Sequence, residues 1–157
     1  MIIKIIFVLL FGTAGAYVGI LLKKRLDRRK IYFSNALAFC ESFKHNLTYT
    51  QNKLKDFVDE FNFSSAEYKV DVENFLKNFN TEFTLSNILS QEEKEEIKKL
   101  FSSLGKVDVQ TQLTLIEERK TALKNISEKL KEKSEKDGKL FVKLGLLIGL
   151  CAGVLLV

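Results

Sequence analysis

The sequence predicts an all-α protein, a membrane-anchored bundle of five or six helices between two terminal transmembrane helices. Three observations carry this prediction. Ile5 to Leu22 is 18 residues without a charge, and Leu140 to Val157 is another 18 interrupted only by Lys143; apolar runs of about 18 or more are candidates to span a bilayer. Proline is absent from the 157 residues, and Gly105 is the only glycine between Leu22 and Gly138, a composition that suits helix. Positive charge gathers beside both apolar runs, on the flanks that face the middle of the chain.

The net charge of +5 divides as +6 in residues 1–30 (7 basic, 1 acidic), −4 in 31–128 (12 basic, 16 acidic) and +3 in 129–157 (6 basic, 3 acidic). Lys23, Lys24, Arg25, Arg28, Arg29 and Lys30 follow the first run, while Lys129, Lys131, Lys133, Lys136, Lys139 and Lys143 precede or enter the second. By the positive-inside bias both flanks put the middle of the chain in the cytoplasm. The expected division is a transmembrane helix at 1–22, a basic stop at 23–30, a cytoplasmic helical domain at 31–139 and a transmembrane helix at 140–157. The same cations suit anionic lipid head groups. With them set aside, no basic stripe with interleaved aromatics is left for nucleic acid.

Taken in order, the first run has one alternative reading, a cleaved leader with Ala14-Gly15-Ala16 at the cleavage site. Its continuation through Leu22 into a strong basic stop favours an anchor. The second run is short for a span of about 20 residues, and its alternative is a buried core helix. Counting from Leu140, with the Lys143 ammonium reaching back to the interface, lengthens it. Gly12, Gly15 and Gly19 in the first run and Gly145, Gly149 and Gly153 in the second form small-residue stripes that let helix backbones approach closely. The spans are therefore expected to pack on each other or on partner spans, a second copy included.

In the domain, Phe33, Leu37, Cys40, Phe43 and Leu47 recur at helical spacing, so a helix is expected to run straight on from the first span. Leu54, Phe57, Val58 and Phe61 make a shorter amphipathic turn. A third helix carries Tyr68, Val72, Phe75, Leu76 and Phe79 behind a capping box of Ser64 and Glu67. A fourth repeats that signal with Ser90 and Glu93, continues through Ile97, Leu100, Phe101 and Leu104, and ends at Gly105. Asp108 then caps a long fifth helix, with Val109, Ile116, Leu123 and Leu130 seven apart and Leu113 and Ile126 beside them. That helix leads into the second span.

Chemistry-bearing patterns are scarce. His45 is the only histidine and lies on a polar side of its helix. Cys40 belongs to an apolar face and Cys151 to a span, so neither a disulfide nor a shared metal site is expected, and an impermeant thiol reagent is expected to reach Cys40 only once the cell is opened. No glycine-rich phosphate loop, paired-cysteine spacing or nucleophile with a base can be written from these residues. Glu92, Glu93, Glu95 and Glu96 sit in the first turns of a helix, where acidic residues complement the dipole. The expectation is a protein that is not an enzyme and needs no metal or cofactor.

The order of these features carries a resemblance. Two terminal spans around a helical domain, the stop Lys23-Lys24-Arg25-Leu26, the stretch Leu47-Thr48-Tyr49-Thr50 leading to Leu54, and Leu104-Gly105 followed by Asp108 and Gln112 resemble the stage III sporulation protein AB family over essentially the whole chain. Gln51 stands where that pattern suggests a proline at the start of the second helix. The resemblance implies a membrane component of the secretion-like channel that endospore formers build in the mother-cell membrane around the forespore. It further implies a cytoplasmic domain similar to that of type II secretion and type IV pilus platform proteins, docking a partner ATPase beside other membrane subunits. An inner-membrane platform subunit of another secretion or pilus system is the alternative. Of the motif residues, Leu104, Gly105 and Asp108 read as structural, and Gln112 and Arg119, with Glu41 and Lys120, are the candidates for a partner-facing patch.

Overall fold

The computed structural model describes residues 2–79, 83–105 and 107–155, the first four of them as backbone. Met1, Leu156 and Val157, at the outer ends of the expected spans, lie outside the described residues. The elements are α1 (Ile2–His45), a π-helical turn (Asn46–Thr50), α2 (Leu54–Glu60), α3 (Ala66–Lys77), α4 (Gln91–Ser103) and α5 (Val109–Leu155). No strand occurs among the described residues. The expected spans are the outer stretches of α1 and α5, continuous with the helices of the domain as expected. Two compact units result, Met1–Arg28 with Lys129–Val157, and Arg29–Glu128. Residues 129–139, expected within the domain, pack in the first of these.

In the first unit both apolar stretches are long and apolar enough to cross a membrane, and only 11% and 17% of their most apolar windows are buried. That exposure suits lipid-facing helices, whereas a soluble core helix would be mostly buried. The two stretches pack on each other through the glycines. A Cβ on Gly15 would strike the Gly145 carbonyl, one on Gly19 the Phe141 carbonyl and one on Gly149 the Phe11 carbonyl. Gly153 lies against Val8, and Gly12 against the Leu150 side chain. Beyond the apolar stretches the pairing continues with buried Leu26 and Leu130 and with Ser134, whose hydroxyl donates to the Asp27 carboxylate at 2.6 Å. This continuation is why 129–139 belong here.

The second unit has an aromatic core. Phe33, Phe39, Phe43, Phe57, Phe75 and Phe101 are buried with Tyr32 and Tyr68, and their rings meet edge-on or stacked, as at Tyr32–Tyr68 (5.1 Å) and Phe75–Phe101 (5.0 Å). Of the expected stripe Phe33, Cys40 and Phe43 are buried, while Leu37 of α1 and Leu47 of the π-helical turn are only partly so; Tyr32, Ala36 and Phe39 widen the buried face of α1. The fourth helix begins as its sequence requires, with a reciprocal capping box between Ser90 and Glu93. On α3 the expected box of Ser64 and Glu67 does not form, and a simple N-cap one residue later takes its place. Ser65, not Ser64, caps the helix by accepting from the Tyr68 N–H, because the N–H groups of Ser64 and Ser65 are both held by Asn35 Oδ1.

Gly105 adopts a φ of +70° just past α4, the left-handed geometry that glycine accepts without strain. Asp108 Oδ1 accepts from the Thr111 N–H at 3.1 Å, as an N-cap does, and Ile116, Leu123 and Leu130 of the heptad series are buried while Val109 is exposed. Gln51 does not start a helix: it closes the π-helical turn at φ 53°, its N–H donating to the Asn46 carbonyl at 2.7 Å. Proline fits neither that φ nor that bond; α2 begins three residues later.

Candidate functional site

Three polar side chains of α1, spaced three apart, organise the loops of the domain. The Arg29 guanidinium forks onto both Glu93 oxygens at 2.6 and 3.2 Å, the Tyr32 hydroxyl donates to Asp71 at 2.7 Å, and Asn35 holds the start of α3. Asp71 also accepts from the Ser86 N–H. Burial pushes the Asp71 carboxyl above its ordinary range, and burial, reinforced by Asp71, pushes the Tyr32 hydroxyl up as well. This set was missed by reading apolar periodicity alone. Its signal was available as Arg29, Tyr32 and Asn35 on one helical face next to the apolar one.

The outer face of the same domain carries the candidate interaction surface. Lys44 and Glu117 pair at 2.9 Å, Glu117 lies 3.8 Å from Lys120, and Lys120 pairs with Glu41, so that four charges alternate between α1 and α5. Hydrogen bonding by Lys44 holds the Glu117 carboxyl below its usual range, and hydrogen bonding by Glu41 raises the Lys120 ammonium. Exposed ion pairs of this kind contribute little to stability; their alternation is better suited to fixing register with a polar partner. Beside them a cavity of about 490 Å³ is lined by Glu41, Ser42, Lys44, His45, Thr48 and Tyr49. The Tyr49 ring, 73% exposed, leans on the exposed His45 imidazole with ring centres 4.6 Å apart.

The four expected partner-facing residues separate. Glu41 and Lys120 come together. Arg119 turns toward Glu96 at 4.0 Å, and its buried Nε has no hydrogen-bond partner among the described residues. Gln112 does not join the surface: it is 4% exposed and its buried Nε2 has no hydrogen-bond partner among the described residues, because it lies on the inward side of α5 one turn before Ile116. Leu104, Gly105 and Asp108 hold the α4–α5 connection. Within the acidic run, Glu93 lies in the cap and on Arg29 of α1, and Glu96 pairs with Lys99 at 2.6 Å. Lys44 and Glu117 are not candidates from the sequence, and Tyr49 enters there only within the stretch Leu47-Thr48-Tyr49-Thr50, although the Glu117–Lys120 spacing suits an ion pair.

Cys40 is buried and Cys151 exposed, both as free thiols. Cys40 is 1% exposed and burial pushes its thiol up to about 12, so its slow labelling in the folded protein would not report on topology.

The family model described as stage III sporulation protein AB (spore_III_AB) matches residues 4–157. No curated protein and no solved structure matches the chain.

Proposed function

The chain belongs to the stage III sporulation protein AB family, which places its role in sporulation, and from that premise we propose that it is a non-enzymatic, two-span component of the channel joining mother cell and forespore. In this reading it sits in the mother-cell membrane around the forespore with the helical domain in the cytoplasm. The domain docks a partner ATPase and works beside the other membrane subunits. The observation that carries the reading is the family match over nearly the whole length, spans included.

The alternating charges of Lys44, Glu117, Lys120 and Glu41, with exposed Tyr49 beside them, support docking at the end of α1. Tyrosine is enriched in protein interfaces, and charge patterns select partner and register. The test is an in-frame deletion in the host, complemented with the parent gene or with a Tyr49→Ala/Lys120→Glu variant. Arrest after engulfment with normal vegetative growth is expected, rescued by the parent and not by the variant at equal membrane abundance. Normal spores from the deletion contradict the channel reading; full rescue by the variant contradicts this face as the docking site.

A further inference from the structure

The loop at 83–90 and one face of α4 frame a groove of about 720 Å³, within the size range of ligand sites, roughly 300–1,000 Å³. Gln91, Lys94 and Lys98, three and four residues apart, project from that helix face, opposite partly exposed Phe83 and buried Leu85 of the loop. No carboxylate lines the groove among the described residues. The contrast within α4 is informative. Lys99 is matched by Glu96 at 2.6 Å, whereas no described residue forms an ion pair with Lys94 or Lys98. Asp71, whose carboxylate feels the charge of Lys94, is buried and already engaged by Tyr32 and Ser86.

We propose that this groove docks a short acidic peptide segment of a partner protein, with carboxylates on Lys94 and Lys98 and an apolar side chain against Phe83 and Leu85. Two ammonium groups one turn apart are complementary to a pair of acidic side chains. The Gln91 amide both donates and accepts, which matches a peptide backbone; a free phosphate presents acceptors to it and leaves the apolar wall uncovered. A nucleic acid fits less well, since the groove offers one aromatic ring and no arginine, and residues 31–128 carry a net charge of −4. The groove is built from other elements than the α1–α5 charge ladder and does not depend on the ATPase reading.

The test uses the full chain in detergent micelles and, as probe, a fluorescein-labelled octapeptide of alternating glutamate and leucine, followed by anisotropy. Saturable binding is expected, weakened roughly ten-fold or more in Lys94→Glu/Lys98→Glu and retained in Lys94→Arg/Lys98→Arg, with an unchanged melting temperature in both. The glutamine-for-glutamate peptide is expected not to saturate. The proposal is overturned if the glutamate variant binds like the parent, if the glutamine peptide binds equally well, or if a single-stranded oligonucleotide of equal charge binds more tightly through the same lysines.

Discussion

At Gln51 the backbone is left-handed, with φ 53° and ψ 31°, a conformation that costs a residue with a Cβ roughly 1–2 kcal/mol. Gln51→Gly removes that strain and adds chain entropy to the unfolded state, so its urea-unfolding free energy is expected to stay within about 1 kcal/mol of the parent; Gln51→Pro, which loses both the φ and the N–H bond to Asn46, is expected to cost about 3 kcal/mol or more. Equal losses from both would contradict the turn. Sequence pattern could not reveal this position, because a π-helical turn is set by the packing around it and glutamine carries no turn signal. Asp71 was equally hidden, reading as an ordinary polar residue of α3. Its native carboxyl keeps the proton to higher pH than the unfolded value of 3.8. The stability it contributes is therefore complete below that value and is lost as pH rises through the native one. Asp71→Asn has no such loss, so its stability relative to the parent is expected to climb with pH above 3.8 and then level off, as urea melts in a pH series would show. A difference that is flat with pH overturns this account.

Helix starts were legible where the cap is local. Ser90 with Glu93 needs only its own turn to form, and Asp108 likewise reaches Thr111. The start of α3 depends on Asn35, thirty residues away in sequence from Ser65, and no local pattern can report that. The glycine stripes were legible as surfaces for close approach, but not as to which helix would use them; α1 and α5 use them against one another. Gly149→Leu is accordingly expected to lower the melting temperature of the detergent-solubilised protein while leaving carbonate-resistant membrane insertion unchanged. The Phe11 carbonyl lies where its Cβ must go, so helix separation is the response, whereas apolarity for insertion only increases. An unaltered melting temperature would contradict the seam.

For the molecule as a whole, the charged flanks of the two apolar runs, read separately, point to one topology. The buried thiol of Cys40 means that topology must be read at an exposed position. Lys124→Cys, on the exposed side of α5, is expected to react with an impermeant maleimide only after permeabilisation; labelling in intact cells would invert the topology. The fold class was legible because helix, cap and span each follow from residues close together in the chain. The candidate surface was legible only in its charges. Glu41 and Lys120 were named on charge, but what makes them neighbours is the packing of α1 on α5, and the same packing turns Gln112 inward.

Arg29, Tyr32 and Asn35 also bear on how the domain is expected to open. Their partners lie at the head of α4, in the middle of α3 and at the head of α3, and Asp71 passes the hold on to the loop at Ser86. The amide protons of Ser64, Ser65 and Ser86, although outside regular helix, are thereby tied to the same short stretch of α1, through Asn35 and, by way of Asp71, through Tyr32. Surface loops ordinarily open one by one and exchange with deuterium early. Here those three protons are expected to exchange late and together, released by one opening that frees α1 from the domain, and Asn35→Ala should split Ser64 and Ser65 away from Ser86 in the exchange profile.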